Sequence, residues 1–112
     1  MAATHSTSAI EHRFNQRKPL RMDVVIYKNH IPIAVGKTRD ICSDGMGINS
    51  RIANIKKYAL LEIEVGVNQA SNTVYRRLSG LVVHHEHNGF GILFTKLNNA
   101  DTELLNRLIM ER

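Results

Sequence analysis

Two arginines near the start of the chain, Arg13 and Arg17, are separated by three residues, and Arg17 is followed by Lys18 and Pro19. A guanidinium group is planar, permanently charged, and presents its N–H donors in a fork that matches phosphate oxygens or the Hoogsteen edge of guanine. Two such groups held close together form a clamp for a small anion that carries more than one phosphate. Because the residue before a proline favours extended conformations, we expect the pair on a loop or arm ahead of the first strand. Such pairs also occur by chance in basic proteins, so this pair alone does not define a site.

A second segment supplies the polar groups that could complete a site, in the pattern Asp40-x-Cys42-x-x-Gly45. An Arg-x-x-x-Arg pair followed by Asp-x-Ser-x-x-Gly is the signature of the PilZ domain. The chain resembles that family over roughly residues 11–110, with cysteine at the position where the family usually has serine. The resemblance implies a binding site for cyclic di-GMP, a bacterial second messenger that contains two phosphates and two guanines.

The resemblance also implies a role for each matching residue. Arg13 and Arg17 would bind phosphate and the O6/N7 edge of guanine, and the Asp40 carboxylate would accept hydrogen bonds from guanine N1 and N2. Gly45 would supply a backbone conformation, or a close approach, that a Cβ atom would block. Cys42 departs from the pattern, because a thiol is a weak donor and acceptor. It is either a ligand contact weaker than serine or a small buried hydrophobic residue at a strand end.

Two flanking residues are possible secondary contacts. His12 precedes the arginine pair, at a position that in PilZ proteins influences whether one messenger molecule or a stacked pair is bound. Its imidazole could stack on a guanine, or it could be a solvated loop residue. Arg39 precedes Asp40, and it is either a third phosphate contact or a surface charge. The ligand stoichiometry, one or two per chain, stays open.

Length and composition limit the classes of protein to which the chain could belong. It has 112 residues, enough for one domain, and a net charge of +5 that favours an anionic partner. We expect a flexible N-terminal arm over residues 1–10 and a single PilZ-like domain over residues 11–112. The one cysteine, the lack of a signal-peptide pattern and the lack of a long apolar run predict a cytoplasmic protein without a membrane span.

The hydrophobic pattern predicts an all-β fold with a C-terminal helix. Tyr58 to Val67 shows the clearest alternation, with apolar side chains on one face and Glu62 and Glu64 on the other. Leucines at helical spacing near the C-terminus predict an amphipathic helix that Asn98 or Asn99 could cap. The segments together predict a six-stranded antiparallel β-barrel, the architecture that the PilZ resemblance also implies, with strands over residues 22–28, 31–40, 45–51, 58–67, 73–86 (bent or bulged at Gly80) and 90–94.

No set of residues predicts catalysis, so we expect a protein that is not an enzyme and has no cofactor. His84, His85 and His87 cluster near the predicted turn before Gly89. Neighbouring residues of a strand face opposite ways, and no cysteine or set of carboxylates accompanies the three imidazoles. We therefore expect no metal site there.

Three functions compete at this point. The first is a cyclic di-GMP receptor that changes conformation on binding and signals to an unidentified protein partner, in motility, adhesion or biofilm control. The second is a PilZ-like protein-interaction domain that no longer binds the nucleotide. The third, a small barrel that binds single-stranded nucleic acid, is disfavoured because such surfaces need exposed aromatic residues, and the chain has no Trp, three Tyr and three Phe. The oligomeric state, monomer or homodimer, is left open.

Overall fold

The computed structural model of the chain describes residues 17–52 and 54–110, so His12, Arg13 and the predicted arm over residues 1–10 lie outside the described residues. Seven strands and one helix follow one another in the described part. Their bounds are β1 Lys18–Pro19, β2 Asp23–Lys28, β3 Ile31–Ile41, β4 Gly45–Asn49, β5 Leu60–Gln69, β6 Asn72–Glu86, β7 Gly89–Phe94 and α1 Asn99–Met110.

The six longer strands form a closed antiparallel barrel. Neighbouring strands follow the order β3-β2-β5-β6-β7-β4, and an additional pairing between β3 and β4 closes the sheet on itself. Closure leaves each of these strands with a partner on both sides over part of its length, which protects the backbone hydrogen-bonding groups. The predicted six-stranded barrel with a C-terminal helix is confirmed.

The short strand β1 was not predicted. Lys18 and Pro19 were expected on a loop or arm, but they pair with Ile41 and Asp40 at the end of β3. Pro19 has no N–H to donate, and proline is tolerated in strands where that donor is not needed. The extended conformation that proline imposes on Lys18 therefore lets the segment add to the end of β3.

Four other details of the strands differ from the prediction. β4 ends at Asn49, and β5 begins at Leu60 because Tyr58 has a φ of 69°, which an extended strand does not allow. The expected polar loop over residues 68–72 is a tighter turn, since Asn68 still pairs with Thr73. The irregularity predicted at Gly80 lies instead between Val82 and His84, where the register of β6 against β7 shifts.

The core lies inside the barrel and continues under α1. The predicted inward face of β5 is confirmed, since Leu61, Ile63 and Val65 are at most 1% exposed. Each such side chain contributes about 1.5–3 kcal/mol on burial. Leu104 and Leu105 of α1 belong to the same buried cluster. No helix in the described part of the chain is long and apolar enough to cross a membrane.

The start of α1 is fixed by a reciprocal pair of hydrogen bonds. The Asp101 N–H donates to Asn98 Oδ1 over 2.8 Å, and the Asn98 N–H donates to Asp101 Oδ2 over 3.2 Å. Of the two asparagines considered for the cap, Asn98 is the one that binds the first turn. Asp101 also accepts a hydrogen bond from Arg76 Nε over 3.2 Å, which ties the helix to β6.

Candidate functional site

The pairing of β1 with β3 brings two of the predicted site residues together. Pro19 lies opposite Asp40, and Arg17 immediately precedes β1. As a result, Arg17 Nη1 lies 2.7 Å from Asp40 Oδ1. The side chains are 42% and 24% exposed, so both are accessible at the surface of the barrel. Arg17 and Asp40, which are 23 positions apart in sequence, therefore form an ion pair.

The two oxygens of the Asp40 carboxylate differ in their contacts. Oδ1 accepts hydrogen bonds from Arg17 and from the backbone N–H of Gly47, the latter over 3.0 Å. Oδ2 lies 3.7 Å from the Nε atom of Arg39. A ligand that donates to both oxygens would compete with Arg17 for Oδ1. An exposed ion pair of this kind contributes only about 0–1 kcal/mol, so its replacement costs little.

Arg39 lies in a network of polar side chains on the outside of the barrel. Its guanidinium donates to Asn49 Oδ1 and to Glu86 Oε2, each over 3.0 Å, and Nη1 lies 2.7 Å from Glu86 Oε1. His84 Nε2 lies 2.8 Å from the same Glu86 carboxylate. The Arg39 guanidinium is therefore already bound by other side chains of the same chain. A phosphate that recruited Arg39 would have to replace Glu86.

A pair of glycines forms a flat surface beneath this network. Gly47 on β4 lies directly opposite Gly91 on β7. The guanidinium of Arg39 occupies the space where a Cβ on Gly47 would lie, and the imidazole of His84 does the same over Gly91. Both planar side chains therefore rest directly on the backbone of the sheet.

This surface was not among the site residues predicted from the sequence. Its residues come from three strands: Asn49, Glu86, His84 and the two facing glycines. The glycines are brought together by the register of β4 against β7. The sequence shows Gly91 two residues after Gly89, but this spacing does not reveal the glycine that lies opposite it. Strand pairing across the barrel was the missing information.

Gly45 has a packing role that is visible in the structure. It pairs with Leu93 at the start of β4, and a Cβ at this position would overlap the backbone carbonyl of Ile92. The group that a Cβ here would meet is therefore the backbone of β7, and a contact of Gly45 with a ligand stays a prediction. Gly45 does not have a positive φ, so it is not required here for a left-handed conformation.

Replacing Gly45 with alanine is expected to destabilise the fold by about 1–3 kcal/mol, because β4 and β7 must move apart. Gly66→Ala is the matched control, since a Cβ there would meet the ring of Tyr75 at 2.8 Å, and that ring is exposed and can turn away. Denaturant unfolding of both variants measures the difference. Equal stabilities would contradict the packing role of Gly45.

Cys42 is buried, with 5% of its surface exposed. Its backbone N–H donates to the Gly45 carbonyl over 2.9 Å and closes the turn between β3 and β4. The side chain is therefore a small buried residue next to the candidate site, one of the two interpretations that the sequence allowed. Whether it also contacts a ligand stays a prediction.

The Cys42→Ser variant is expected to bind cyclic di-GMP at least as tightly as the parent chain. A hydroxyl donates and accepts hydrogen bonds better than a thiol, and one net hydrogen bond contributes about 1 kcal/mol. Isothermal titration of both proteins measures the change. A clearly weaker serine variant would refute the argument from the hydroxyl group, provided that the two proteins unfold at similar temperatures.

The histidines of the β6–β7 hairpin have contacts of other kinds. His84 contacts Glu86, and a ring nitrogen of His85 contacts the carbonyl of Ile55. Within residues 17–52 and 54–110, no three histidine, cysteine or carboxylate residues are placed to hold a metal ion.

Comparison with known proteins gives a fold but no close sequence relative. No protein-family model matches the chain, and no curated protein matches it. Among solved structures, it is similar to the crystal structure of the PilZ domain of CeSA from a cellulose-synthesizing bacterium. That similarity has a TM-score of 0.67 at 17% sequence identity, and it covers 84% of this chain and 94% of the other. The closed barrel, its C-terminal helix and this structural match together show that the chain has the fold of a PilZ domain.

Proposed function

We propose that this chain is a receptor domain for cyclic di-GMP that passes the binding signal to a protein partner. The observation that carries the proposal is the 2.7 Å pair of Arg17 and Asp40 on a barrel with the PilZ fold. One residue of the arginine pair and the acid of the second segment are far apart in sequence, yet they lie together on an accessible surface. A phosphate and a guanine edge require these two chemical groups side by side.

Each residue has a defined role in the proposed complex. Arg17 and Arg13 bind a phosphate and the O6/N7 edge of a guanine, and the Asp40 carboxylate accepts from guanine N1 and N2. Arg39 contributes a third cation when the ligand replaces Glu86. Gly45 holds β4 against β7 and so supports the surface, while the largely buried Cys42, two positions after Asp40, makes a weaker ligand contact than a serine would. His12 is a secondary contact with a guanine.

Ligand binding changes the contacts of Arg17 in this proposal. The guanidinium leaves or shares Asp40 Oδ1 when a guanine donates to both carboxylate oxygens. The segment around Arg17 then folds onto the ligand, and the altered surface is recognised by a partner in motility, adhesion or biofilm control. The domain itself is not an enzyme, needs no cofactor, and acts in the cytoplasm as a monomer or homodimer.

Isothermal titration of the full chain with cyclic di-GMP tests the proposal. We expect a dissociation constant on the order of micromolar or tighter, and the stoichiometry distinguishes one ligand from two. GMP and cyclic di-AMP are the matched controls, because the first has one phosphate and the second lacks the guanine edge. No heat of binding with cyclic di-GMP, or equal binding of cyclic di-AMP, would overturn it.

A second candidate function is a PilZ-like protein-interaction domain that does not bind the nucleotide. It is favoured by the buried Cys42 at the serine position. It is also favoured because Arg39 and Asp40 already form hydrogen bonds with other side chains of the same chain. This alternative predicts no binding of cyclic di-GMP by the parent chain or by any variant. The same titration therefore separates the two functions.

A further inference from the structure

An apolar cavity lies on the outer wall of the barrel, apart from the Arg17–Asp40 pair. It has a volume of about 600 Å³ and is formed on β2, β3, β5 and β6. Val25 and Val35 face each other across β2 and β3, and Tyr75 of β6 lies on the far side. Gly66 has no side chain, so the ring of Tyr75 lies against β5. Val35 and Tyr75 are 72% and 65% exposed, which is a large exposure for apolar and aromatic side chains.

Three cations stand along one side of this cavity: Arg21, Lys37 and Arg51. Lys37 Nζ is bound to Asp23 over 2.6 Å. The side chains of Arg21 and Arg51 have no hydrogen bond or ion pair with any other residue that the structure describes. These two guanidiniums are therefore available to an anionic partner.

The acid on the opposite side of the cavity is already bound within the protein. Glu64 accepts a hydrogen bond from Tyr27 Oη over 3.1 Å, and Arg77 Nε lies 3.5 Å from its other oxygen. The ring of Tyr27 in turn lies beneath the Arg77 guanidinium, 3.7 Å from its centre. The local charge available to a ligand is therefore positive and comes from Arg21 and Arg51.

The same cations also border a second, more polar cavity of about 880 Å³. It shares Arg21, Lys37 and Arg51 with the apolar cavity and continues to the β6–β7 turn at His87 and Asn88. Because the two cavities share these cations, an extended segment with a large apolar residue and acidic residues next to it could occupy both.

The backbone beside the apolar cavity suits an extended ligand. Residues 31–36 of β3 pair with β2, and β4 joins β3 only from Lys37 onward. Over this stretch no other described strand pairs with β3. The Ser50 hydroxyl already occupies the Val35 carbonyl over 2.8 Å, so the edge that a peptide could pair with is that of residues 31–34. Unpaired strand edges of this kind accept extended peptides in many complexes.

We propose that these two cavities form a docking groove for an extended acidic segment of a partner protein. A large aliphatic or aromatic side chain of that segment packs between Val35 and Tyr75, and its neighbouring carboxylates pair with Arg21 and Arg51. A second copy of this chain is a poorer occupant, because it carries the same net charge of +5. A nucleic acid strand is a poorer occupant, because Tyr75 is the one aromatic side chain among the described residues that line the apolar cavity, and such strands stack successive bases on several aromatic side chains.

The test is a titration of the ¹⁵N-labelled full chain, without nucleotide, with five-residue peptides that have a central Phe, Trp or Leu flanked by two acidic residues on each side. We expect saturable shifts of the Val25, Val35 and Tyr75 amides, with dissociation constants on the order of 0.1–1 mM. Control peptides carry lysines in place of the acids, or serine in place of the central residue. Both controls are expected to bind at least several-fold more weakly.

Two double variants test the role of the cations. Arg21→Gln with Arg51→Gln is expected to raise the dissociation constant about two- to thirtyfold, the range for two exposed charge pairs. Lys96→Gln with Arg107→Gln makes the same change in net charge at exposed residues that line neither cavity, and it is expected to leave the constant within about twofold. Correct folding of each variant is checked from its own amide spectrum.

Several results would overturn the proposal. These are the absence of saturable shifts at the groove, equal binding of the lysine peptides, and equal effects of the two double variants. Sedimentation equilibrium tests whether a second copy of the chain occupies the groove. A dimer of the parent chain that Val35→Asp abolishes would assign the groove to that second copy. Because no nucleotide is present, a failure here is independent of any failure to bind cyclic di-GMP.

Discussion

Replacing Arg17 with alanine is expected to weaken the binding of cyclic di-GMP by about 10- to 150-fold. The variant loses at least one charged hydrogen bond to the ligand, and each such bond contributes about 1.5–3 kcal/mol. Stability should change by less than about 1 kcal/mol, because the pair with Asp40 is exposed. Isothermal titration and thermal unfolding of the same preparations measure the two quantities.

Two further variants complete this experiment. Arg13→Ala should cause a comparable loss of affinity, as the sequence signature implies. Lys28 is the last residue of β2 and pairs with Ile31, at the other end of β3 from Asp40. Lys28→Ala should therefore leave the affinity unchanged. If Arg17→Ala binds as tightly as the parent chain, the arginine pair is not the ligand clamp.

Removing the carboxylate of Asp40 is the second large effect that we expect. Asp40→Ala should lower the affinity for cyclic di-GMP by a similar factor of about 10–150, because the guanine donors lose their charged acceptor. It should also destabilise the fold by about 1–3 kcal/mol, since the Gly47 N–H loses its partner.

Asp40→Asn separates these two effects. An amide oxygen can still accept from the Gly47 N–H, so most of the stability should return. The amide nitrogen donates rather than accepts, so a guanine that presents two donors still meets only one acceptor. We expect near-parental unfolding combined with weak binding in isothermal titration. Full recovery of the affinity in Asp40→Asn would show that Asp40 acts on the fold alone.

Much of the barrel could be predicted from the sequence because its strands alternate clearly. Leu61, Ile63 and Val65 fall on one face of β5, and in a sheet with one buried face that pattern leaves only one orientation. The β6–β7 turn was equally clear, since Asn-Gly strongly favours a hairpin. The start of β5 was missed because the positive φ of Tyr58 has no signal in its residue type.

The candidate site was predicted less completely, and the reason is its dependence on pairing. The Arg17–Asp40 contact brings the two segments together, and their joint action on a ligand stays a prediction. The contact of Arg39 with Glu86 spans 47 positions and arises only because β3, β4 and β7 are neighbours in the closed sheet. The sequence around Arg39 and around Glu86 contains no pattern that predicts their contact. The burial of Cys42 likewise follows from the turn after β3, which breaks the alternation.

The residue next to Arg17 connects the surface of the barrel to the far end of the chain. Lys18 Nζ donates a hydrogen bond to the backbone carbonyl of Ile109, in the last turn of α1. Carbonyls there lack partners within the helix, and a cation is favourable near them. The neighbouring residues Arg17 and Lys18 are thus bound to Asp40 and to the end of α1, respectively. The displacement of Arg17 that the proposed function requires would therefore take place next to the residue that binds the end of α1.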